Sequence, residues 1–567
     1  MNPTKSQLQA INSNSSAILV IAGAGSGKTA TTIQRIVRLV KEGTNPASIL
    51  CLTFTRKAAN ELKERLAKSI GASAAKKIWA GTFHSISYRI LSQWGSKIGY
   101  QVDSGRSITV ITPDESDLLL REIIKAYDFK GTLKSISDAK SVLAHDGKEP
   151  EDLNIKRIIG EYHARLKECN AVDFDLLLLE VQKLLEVCPA ALEFYQTKFA
   201  HIFVDEYQDT DKVQYNLHEV LRPKHLFCVG DSDQAIYGWR GANVDIILNF
   251  EKAHPGAEVV KLEDCFRCAD VIVSRANSLI SNNLNRIEKT LIGATGNEGT
   301  FEVDHKSHPE HIADYLAEYM AFENPGEIAV IGRTHRSLEA VELACCNLGL
   351  EVLRVGKATA AIEANDSFQF MRAYLRLAMN PRDNIAFLTA NRIGFRQDLN
   401  KIWSWANSHG CSWYEAYGDI APITPEQSLI GFYEETCSYL ELEPDKSVIA
   451  YLEANFPDIT ADDWLATFQI KDNQLELEKK QSDKITLITA HAAKGLEWDN
   501  VLIVDFDEGR FPSKMALRSG NIEEERRLAY VAFTRARNRL LIFRNPEKLQ
   551  SRFIEEGSNS SAIELAA

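Results

Sequence analysis

The sequence predicts an α/β chain in which two parallel β-sheets, flanked by helices, are each interrupted by a mainly helical insertion. Two observations carry this. Short apolar runs of strand length, such as AILVIA at 17–22, HIFV at 201–204 and ITLIT at 485–489, alternate with longer stretches of helical periodicity, the pattern of buried parallel strands joined by crossover helices. The strand-like runs also fall into two groups, and each group is split by a long helical stretch, 108–192 in the first and 393–483 in the second. With 567 residues, the chain has room for three or four domains of about 150 residues.

In chain order, the run 17–22 leads through a Gly-rich turn into a helical stretch ending near 40, and a second unit repeats the order with a strand at 49–53 and a helix at 57–70. After the first helical insertion, strand patterning resumes at 201–204 and 226–229. The second group opens near 261, with strands at 328–331 and 352–355 around a helix at 337–348, and it closes with 485–489 and 501–505. The expected domains are 1–107 with 193–260, the insertion 108–192, 261–392 with 484–545, the Trp-rich acidic insertion 393–483, and a tail at 546–567 that frays from Gly557.

Composition removes several classes. At 45% hydrophobic and 25% charged residues, the chain is neither disordered nor fibrous. It shows no signal-peptide pattern, and no apolar stretch reaches the roughly 18 residues of a membrane span, so a cytoplasmic location without a membrane partner is expected. Ten scattered cysteines fit reduced thiols. Cys265 and Cys268 form a single C-x-x-C with no second pair, which reads as buried thiols rather than a metal or redox site; His305, His308 and His311 lack accompanying ligands and read as a solvated face. The net charge of -13 argues by itself against nucleic acid.

The strongest motif opposes that last inference. AGAGSGKT at 22–29 follows a strand and opens a helix, so Ala22, Gly23, Ala24, Gly25, Ser26 and Gly27 can cradle phosphates with backbone N–H groups. Lys28 then reaches the β and γ oxygens, and Thr29 can hold Mg²⁺. Ala22 stands where the usual motif begins with Gly. Asp205 and Glu206 directly follow the apolar run HIFV, so Asp205 can hold the same Mg²⁺ through its water shell and Glu206 can orient and deprotonate an attacking water. ATP and Mg²⁺ are the cofactors these residues call for.

Beyond these two sites, an ordered series of segments runs almost the whole length: QLQAI from Gln7, LTFTRKAANELKERL from Leu52, GTFHSISYRIL from Gly81, VDEYQDT from Val204, VGDSDQAIYGWRGA from Val229, LEDCFRC from Leu262, GRTHRS from Gly332, TAHAAKGLEWD from Thr489 and EEERRLAYVAFTRAR from Glu523. In this order they resemble the UvrD/Rep/PcrA-like superfamily 1 DNA helicases. The resemblance implies two RecA-like P-loop domains and an ATP-dependent, 3'-to-5' motor on single-stranded and tailed duplex DNA. It implies that Gln7 reads adenine, Phe266 stacks on it and Glu497 lies near the ribose. Gln234 would sense the γ-phosphate, while Arg267 and Arg535 would be arginine fingers supplied across the cleft. Phe54, Phe83, His84, Tyr237, Trp239 and His491 fall in its strand-contacting segments, with Trp239 in a Gly-Trp-Arg turn suited to base stacking. FRC stands where the family commonly has YRS, Arg56 replaces a common Asn, and Ala30 sits where many members carry Arg.

The second insertion is shorter than the family's usual one, which points away from autonomous unwinding. Two alternatives therefore stand beside a helicase: a translocase or protein remodeller with little strand separation, and an ATP-switched accessory subunit of a repair or phage-defence complex. The charge is also polarised. Residues 413–466 hold 12 acidic side chains and one basic, whereas 30–100 hold 12 basic and 3 acidic. A basic footprint on the motor and an acidic face for a protein partner on the 393–483 insertion are expected.

Overall fold

The computed structural model describes residues 3–102, 108–306, 308–320, 324–355, 365–398, 401–402, 414, 417, 428–455, 460 and 484–558. The first sheet has six parallel strands: β1 (Ala17–Ala22), β2 (Ile49–Thr53), β3 (Trp79–Thr82), β4 (His201–Val204), β5 (His225–Gly230) and β6 (Glu258–Leu262). Their order across the sheet is β3-β2-β4-β5-β1-β6. Every residue of β1 and β2 is buried, because helices cover both faces, and this is why these strands read as unbroken apolar runs. β5 separates β1 from β4, so the chain leaving all three strands emerges side by side at one edge of the sheet. Residues 23–27, Asp205 and Asp231 occupy that edge, where open α/β sheets bind ligands.

Between β3 and β4 the chain forms the helices Phe83–Trp94, Pro113–Ala126, Leu133–Asp146, Leu153–Glu168, Phe174–Val187 and Pro189–Lys198. The insertion is helical as expected, and it shares one continuous hydrophobic core with the sheet, in which Leu19, Leu50 and Ile202 join Leu120, Leu177 and Leu184. The second sheet also has six parallel strands: β7 (Thr300–Asp304), β8 (Ile328–Gly332), β9 (Val352–Arg354), β10 (Ile485–Thr489), β11 (Trp498–Ile503) and β12 (Ala536–Phe543). Their order is β7-β12-β11-β8-β10-β9.

Three expectations need correction. Strands β3, β6, β7 and β12 have no counterpart among the apolar runs: β6 and β7 are half-exposed edge strands, β6 carrying the first sheet to 262 rather than 260, and Arg537 and Arg539 interrupt β12. The second insertion begins earlier than 393. The helices Asp366–Met379 and Asn384–Ala390 pack with Leu429–Tyr439 in a core of their own, built on Phe368, Phe370, Tyr374, Phe387, Phe432 and Tyr433, rather than on the second sheet. The tail is docked through its first half: in the helix Arg552–Glu556, Phe553 and Ile554 enter the second-sheet core and Glu556 pairs with Arg526. Within the acidic stretch 413–466, residues 413, 415–416, 418–427, 456–459 and 461–466 lie outside the described residues, as do residues 559–567. Among the described residues no helix is long and apolar enough to cross a membrane.

The two insertions meet through one buried cation. Arg376 pairs with Asp383 at 2.9 Å within its own insertion and with Glu115 of the other, while Asn380 donates to Thr109 Oγ1 at 3.0 Å and to the Cys169 carbonyl at 2.8 Å. Burial would raise Glu115, but Arg376 and Arg372 hold it down to about 2. Its stabilising contribution is therefore complete above the ordinary carboxylate range and is lost as pH falls toward about 2. Arg376→Met leaves buried Asp383 without its cation and Glu115 with the more distant Arg372, and is expected to cost about 3–5 kcal/mol. A denaturation midpoint equal to that of the parent would show that the pair is not holding the insertions together.

Candidate functional site

From β1 the chain turns through 23–27 into the helix Lys28–Lys41. The Ser26 hydroxyl closes the turn on the Gly23 carbonyl at 2.8 Å. Gly25 and Gly27 take φ of +69° and +79°, a left-handed conformation costing other residues about 1–2 kcal/mol. A side chain at Gly25 would also collide with the second domain, its Cβ falling 2.6 Å from Cβ of Arg267. Gln7, fixed by a capping box with Thr4, donates to the Ser26 carbonyl at 2.9 Å. The turn and the helix N-terminus form an anion cradle, with Gln7 at its lip.

Asp205 and Glu206 follow β4 at the same edge. Glu206 has φ of 51°, unusual for a side-chain-bearing residue, and such backbone strain concentrates at functional sites. Lys28 Nζ bridges both its carboxylate oxygens at 3.0 and 3.2 Å. Burial and the charge of Glu206 push Asp205 up to about 7. Glu206 is held down to about 2: burial would raise it, but Lys28 and Lys494 outweigh that. Two adjacent carboxylates are thus driven apart in acidity, which is how a site separates roles between like groups. Asp205 Oδ1 is buried without a hydrogen-bond partner, an oxygen suited to a hydrated cation. Gln208 links this pair to the next strand end, donating to Glu206 at 2.5 Å and accepting from the Asp231 N–H at 2.8 Å. Gln234 donates to Asp231 at 2.6 Å, so its amide faces the same acidic edge.

The second domain closes over this edge. The Phe266 N–H donates to the Gly25 carbonyl at 3.0 Å, which sets the backbone of this half-buried residue against the phosphate turn. Arg267 pairs with Glu497, which Arg537 also holds at 2.9 Å. Arg535 is 1% exposed, bonded to the Val531 and Leu496 carbonyls at 2.8 and 3.1 Å, with no ion pair among the described residues. Burial and the neighbouring Arg267 charge lower it to about 9. The two arginines are therefore unequal: Arg267 lines the seam, and Arg535 sits behind it as a desolvated cation that an anion in the cleft would relieve. Lys494 went unassigned in the sequence reading and makes the widest link. It reaches from the loop after β10 to pair with buried Asp209, donates to the Gln234 carbonyl at 2.8 Å and lies 4.9 Å from the Tyr237 ring centre. Its position within TAHAAKGLEWD, and that of Asp209 within VDEYQDT, were the available signals.

Four of the six expected base-contacting side chains come together across the two domains. Phe54 stacks on Tyr237 at 5.0 Å and 19°, and His491 lies 6.5 Å from Tyr237 and 6.1 Å from Trp239. Burial and Arg333 push His491 down to about 4, leaving it neutral at pH 7. Trp239 occupies a short turn and is 66% exposed, with Gly238 tied to Glu524 of the second domain at 3.0 Å. One expectation is corrected: Phe83 is 5% exposed in the first core and has no face for a base. His84 is half-buried and meets Phe174 of the first insertion edge-on at 5.6 Å.

Replacing Lys494 by Met leaves buried Asp209 unpaired and is expected to cost the closed arrangement about 3–5 kcal/mol. Amide exchange should then rise together in 204–210 and 489–496. Unchanged exchange in either segment would show that the bridge does not hold the domains.

Comparison with known proteins agrees with this geometry. The UvrD/REP helicase N-terminal domain matches residues 3–255, and the UvrD-like helicase C-terminal domain matches 445–546. The ATP-dependent DNA helicase PcrA of Bacillus subtilis is 33% identical, over 98% of this chain and 85% of its own. PcrA helicases of Leuconostoc citreum and Staphylococcus aureus are 31% and 30% identical, each over 97% of this chain. With both halves of the nucleotide cleft in place and this similarity extending over almost the whole chain, the protein belongs to the UvrD/Rep helicase family.

Proposed function

We propose that this chain is an ATP-dependent DNA helicase that moves 3'-to-5' along single-stranded DNA, acting in the cytoplasm in repair, recombination or replication. The observation that carries the reading is Lys494, which touches the acidic edge of the nucleotide cleft and the aromatic platform at once. Any change in how the cleft closes is thereby felt at Tyr237 and its neighbours, so each hydrolysis cycle becomes a closing and opening stroke on the strand.

In the cleft, Lys28 and the backbone of 23–27 bind phosphate, Gln7 and Phe266 hold the base, and Glu497 lies near the ribose. When phosphate draws Lys28 away, Glu206 loses the nearer of the two lysines that depress its basicity and becomes better able to take a proton from water. Thr29 and Asp205 would hold Mg²⁺, which supplies charge neutralisation at the phosphates; the orphaned Asp205 oxygen fits that duty. Gln234 responds to the γ-phosphate, while Arg267, released from Glu497, stabilises charge on the transferring group, with Arg535 behind it. Trp239, the exposed member of the group, contacts bases of the strand, backed by Phe54, buried Tyr237 and His491.

Duplexes carrying a single-stranded tail at one end test the reading. Displacement from the 3'-tailed duplex alone is expected. Displacement only from the 5'-tailed duplex would reverse the polarity, and DNA-stimulated hydrolysis without displacement on either would favour the translocase alternative. Lys28→Ala and Glu206→Gln should abolish turnover, whereas Trp239→Ala should keep basal hydrolysis and lose its DNA stimulation. Equal loss of basal hydrolysis in all three would make Trp239 structural. Because Asp205 is pushed up to about 7 by burial and Glu206, protonation competes with the metal below that pH. The Mg²⁺ concentration for half-maximal hydrolysis should therefore rise as pH falls through 7, and a flat requirement across that range would remove Asp205 as the metal's anchor.

A further inference from the structure

The seam between the phosphate turn and the second domain contains two thiols that this chemistry does not use. Cys265 ends the short strand Asp264–Cys265, and Cys268 lies two residues before the helix Asp270–Ile280. Phe266 and Arg267 are the two residues between them. Both cysteines are free and fully buried. The Cys268 N–H lies 3.4 Å from the Cys265 sulfur, so the loop already folds one thiol back over the other. The Cys268 thiol in turn lies 3.5 Å from the Thr534 carbonyl, the same oxygen that accepts from Arg267 at 3.3 Å.

The cover over Cys265 belongs to the opposite domain. A Cβ on Gly25 would stand 3.1 Å from its sulfur, and Ala24 is the phosphate-turn residue packed in the same apolar cluster. The closing and opening stroke of the proposed function would lift that cover. Among the described residues, Cys265 is also the one cysteine whose thiol is made more acidic. The hydrogen bond from Cys268 draws it down to about 6 against burial, helped by the N–H groups of Cys268 and Arg267 and by the Arg267 charge. Burial raises Cys51, Cys169 and Cys228 instead.

We infer that Cys265 and Cys268 are a peroxide-reactive dithiol, and that their closure to a disulfide withdraws Arg267 from the cleft and halts ATP turnover. This rests on Arg267 acting on the transferring phosphoryl group. The Cys265 thiolate attacks one oxygen of the peroxide; the O–O bond breaks and the departing hydroxide takes a proton and leaves as water. Cys265, having given up two electrons, is then a sulfenic acid. The Cys268 sulfur attacks it, the S–S bond forms as the S–O bond breaks, and the departing hydroxide takes the Cys268 proton as a second water. The sum is two thiols and one peroxide giving one disulfide and two waters. A disulfide brings the two Cβ atoms to about 3.5–4.5 Å, which tightens the turn carrying Phe266 and Arg267. It also removes Cys268 from the Thr534 carbonyl it shares with Arg267.

The test uses the full chain, freed of reductant, treated with hydrogen peroxide and assayed for hydrolysis with single-stranded DNA. Turnover is expected to fall by about a hundredfold or more, since an arginine finger supplies about a thousandfold. Peptide mass should show a Cys265–Cys268 crosslink, and dithiothreitol should reverse both changes. Cys268→Ser installs the residue that the family commonly carries there, so it should fold, turn over when reduced and resist peroxide. Failure to form the crosslink, a crosslink with unchanged turnover, or inactivation that persists in Cys268→Ser would each overturn the inference. Reduced Arg267→Ala separates the two ideas: full turnover in that variant would refute the arginine's role, whereas the crosslink tests the dithiol independently.

Discussion

A lysine that crosses between domains has to be compensated on arrival, and Lys494 meets that condition at two places. Its ammonium is buried against Asp209, and its remaining donors reach the Gln234 carbonyl. Breaking such a buried pair leaves a desolvated charge on each side, at a cost of about 3–5 kcal/mol. The closed cleft therefore has its own restoring force, and the geometry of the nucleotide edge depends on it. Asp209 in turn neighbours Gln208, which joins Glu206 to the strand end at Asp231. The chain of contacts from second domain to phosphate turn is continuous and polar.

Within that frame the acidic edge is tuned by burial. Desolvation pushes Asp205, Glu206 and Asp209 up alike, and the nearby lysines reverse it only at Glu206, since Asp209 stays raised to about 6 beside Lys494. Glu206 has Lys28 and stays ionised, whereas Asp205, beside Glu206 and without a direct bond to the lysine, is pushed toward neutrality. On the other side of the seam Arg267 has Glu497, but Arg535 has only neutral acceptors, two carbonyls and the Thr534 hydroxyl, among the described residues. A cleft with a cation lacking an ion pair on one wall and a lysine–glutamate pair on the other is electrostatically prepared for a polyanion.

The parts read most easily from the sequence were those with a local cause. Central strands such as β1 and β8 are apolar throughout because both faces are covered, and the phosphate turn needs its glycines for dihedral reasons visible at 25 and 27. Edge strands were harder, since a half-exposed strand such as β7 mixes polar and apolar residues and loses its contrast with a loop. The start of the second insertion was misplaced for a related reason: Asp366–Met379 is an ordinary amphipathic helix, and nothing in its periodicity says which core its apolar face enters. Phe83 illustrates the same limit at a single residue, because a phenylalanine one position from a strand end can face a base or a core with equal local propriety.

By itself, the sequence determined the fold class, the phosphate turn, the paired acids and the ordered segments that mark the family, because each depends on residues a few positions apart. The tertiary structure decided which of those residues meet. It brought Phe54, Tyr237, His491 and Trp239 into one group, set Lys494 against Asp209 more than two hundred residues away, and laid Gly25 against Arg267 and Cys265. Those contacts arise from packing two sheets edge to edge, a long-range arrangement whose energy lies in burial and charge compensation rather than in any local pattern.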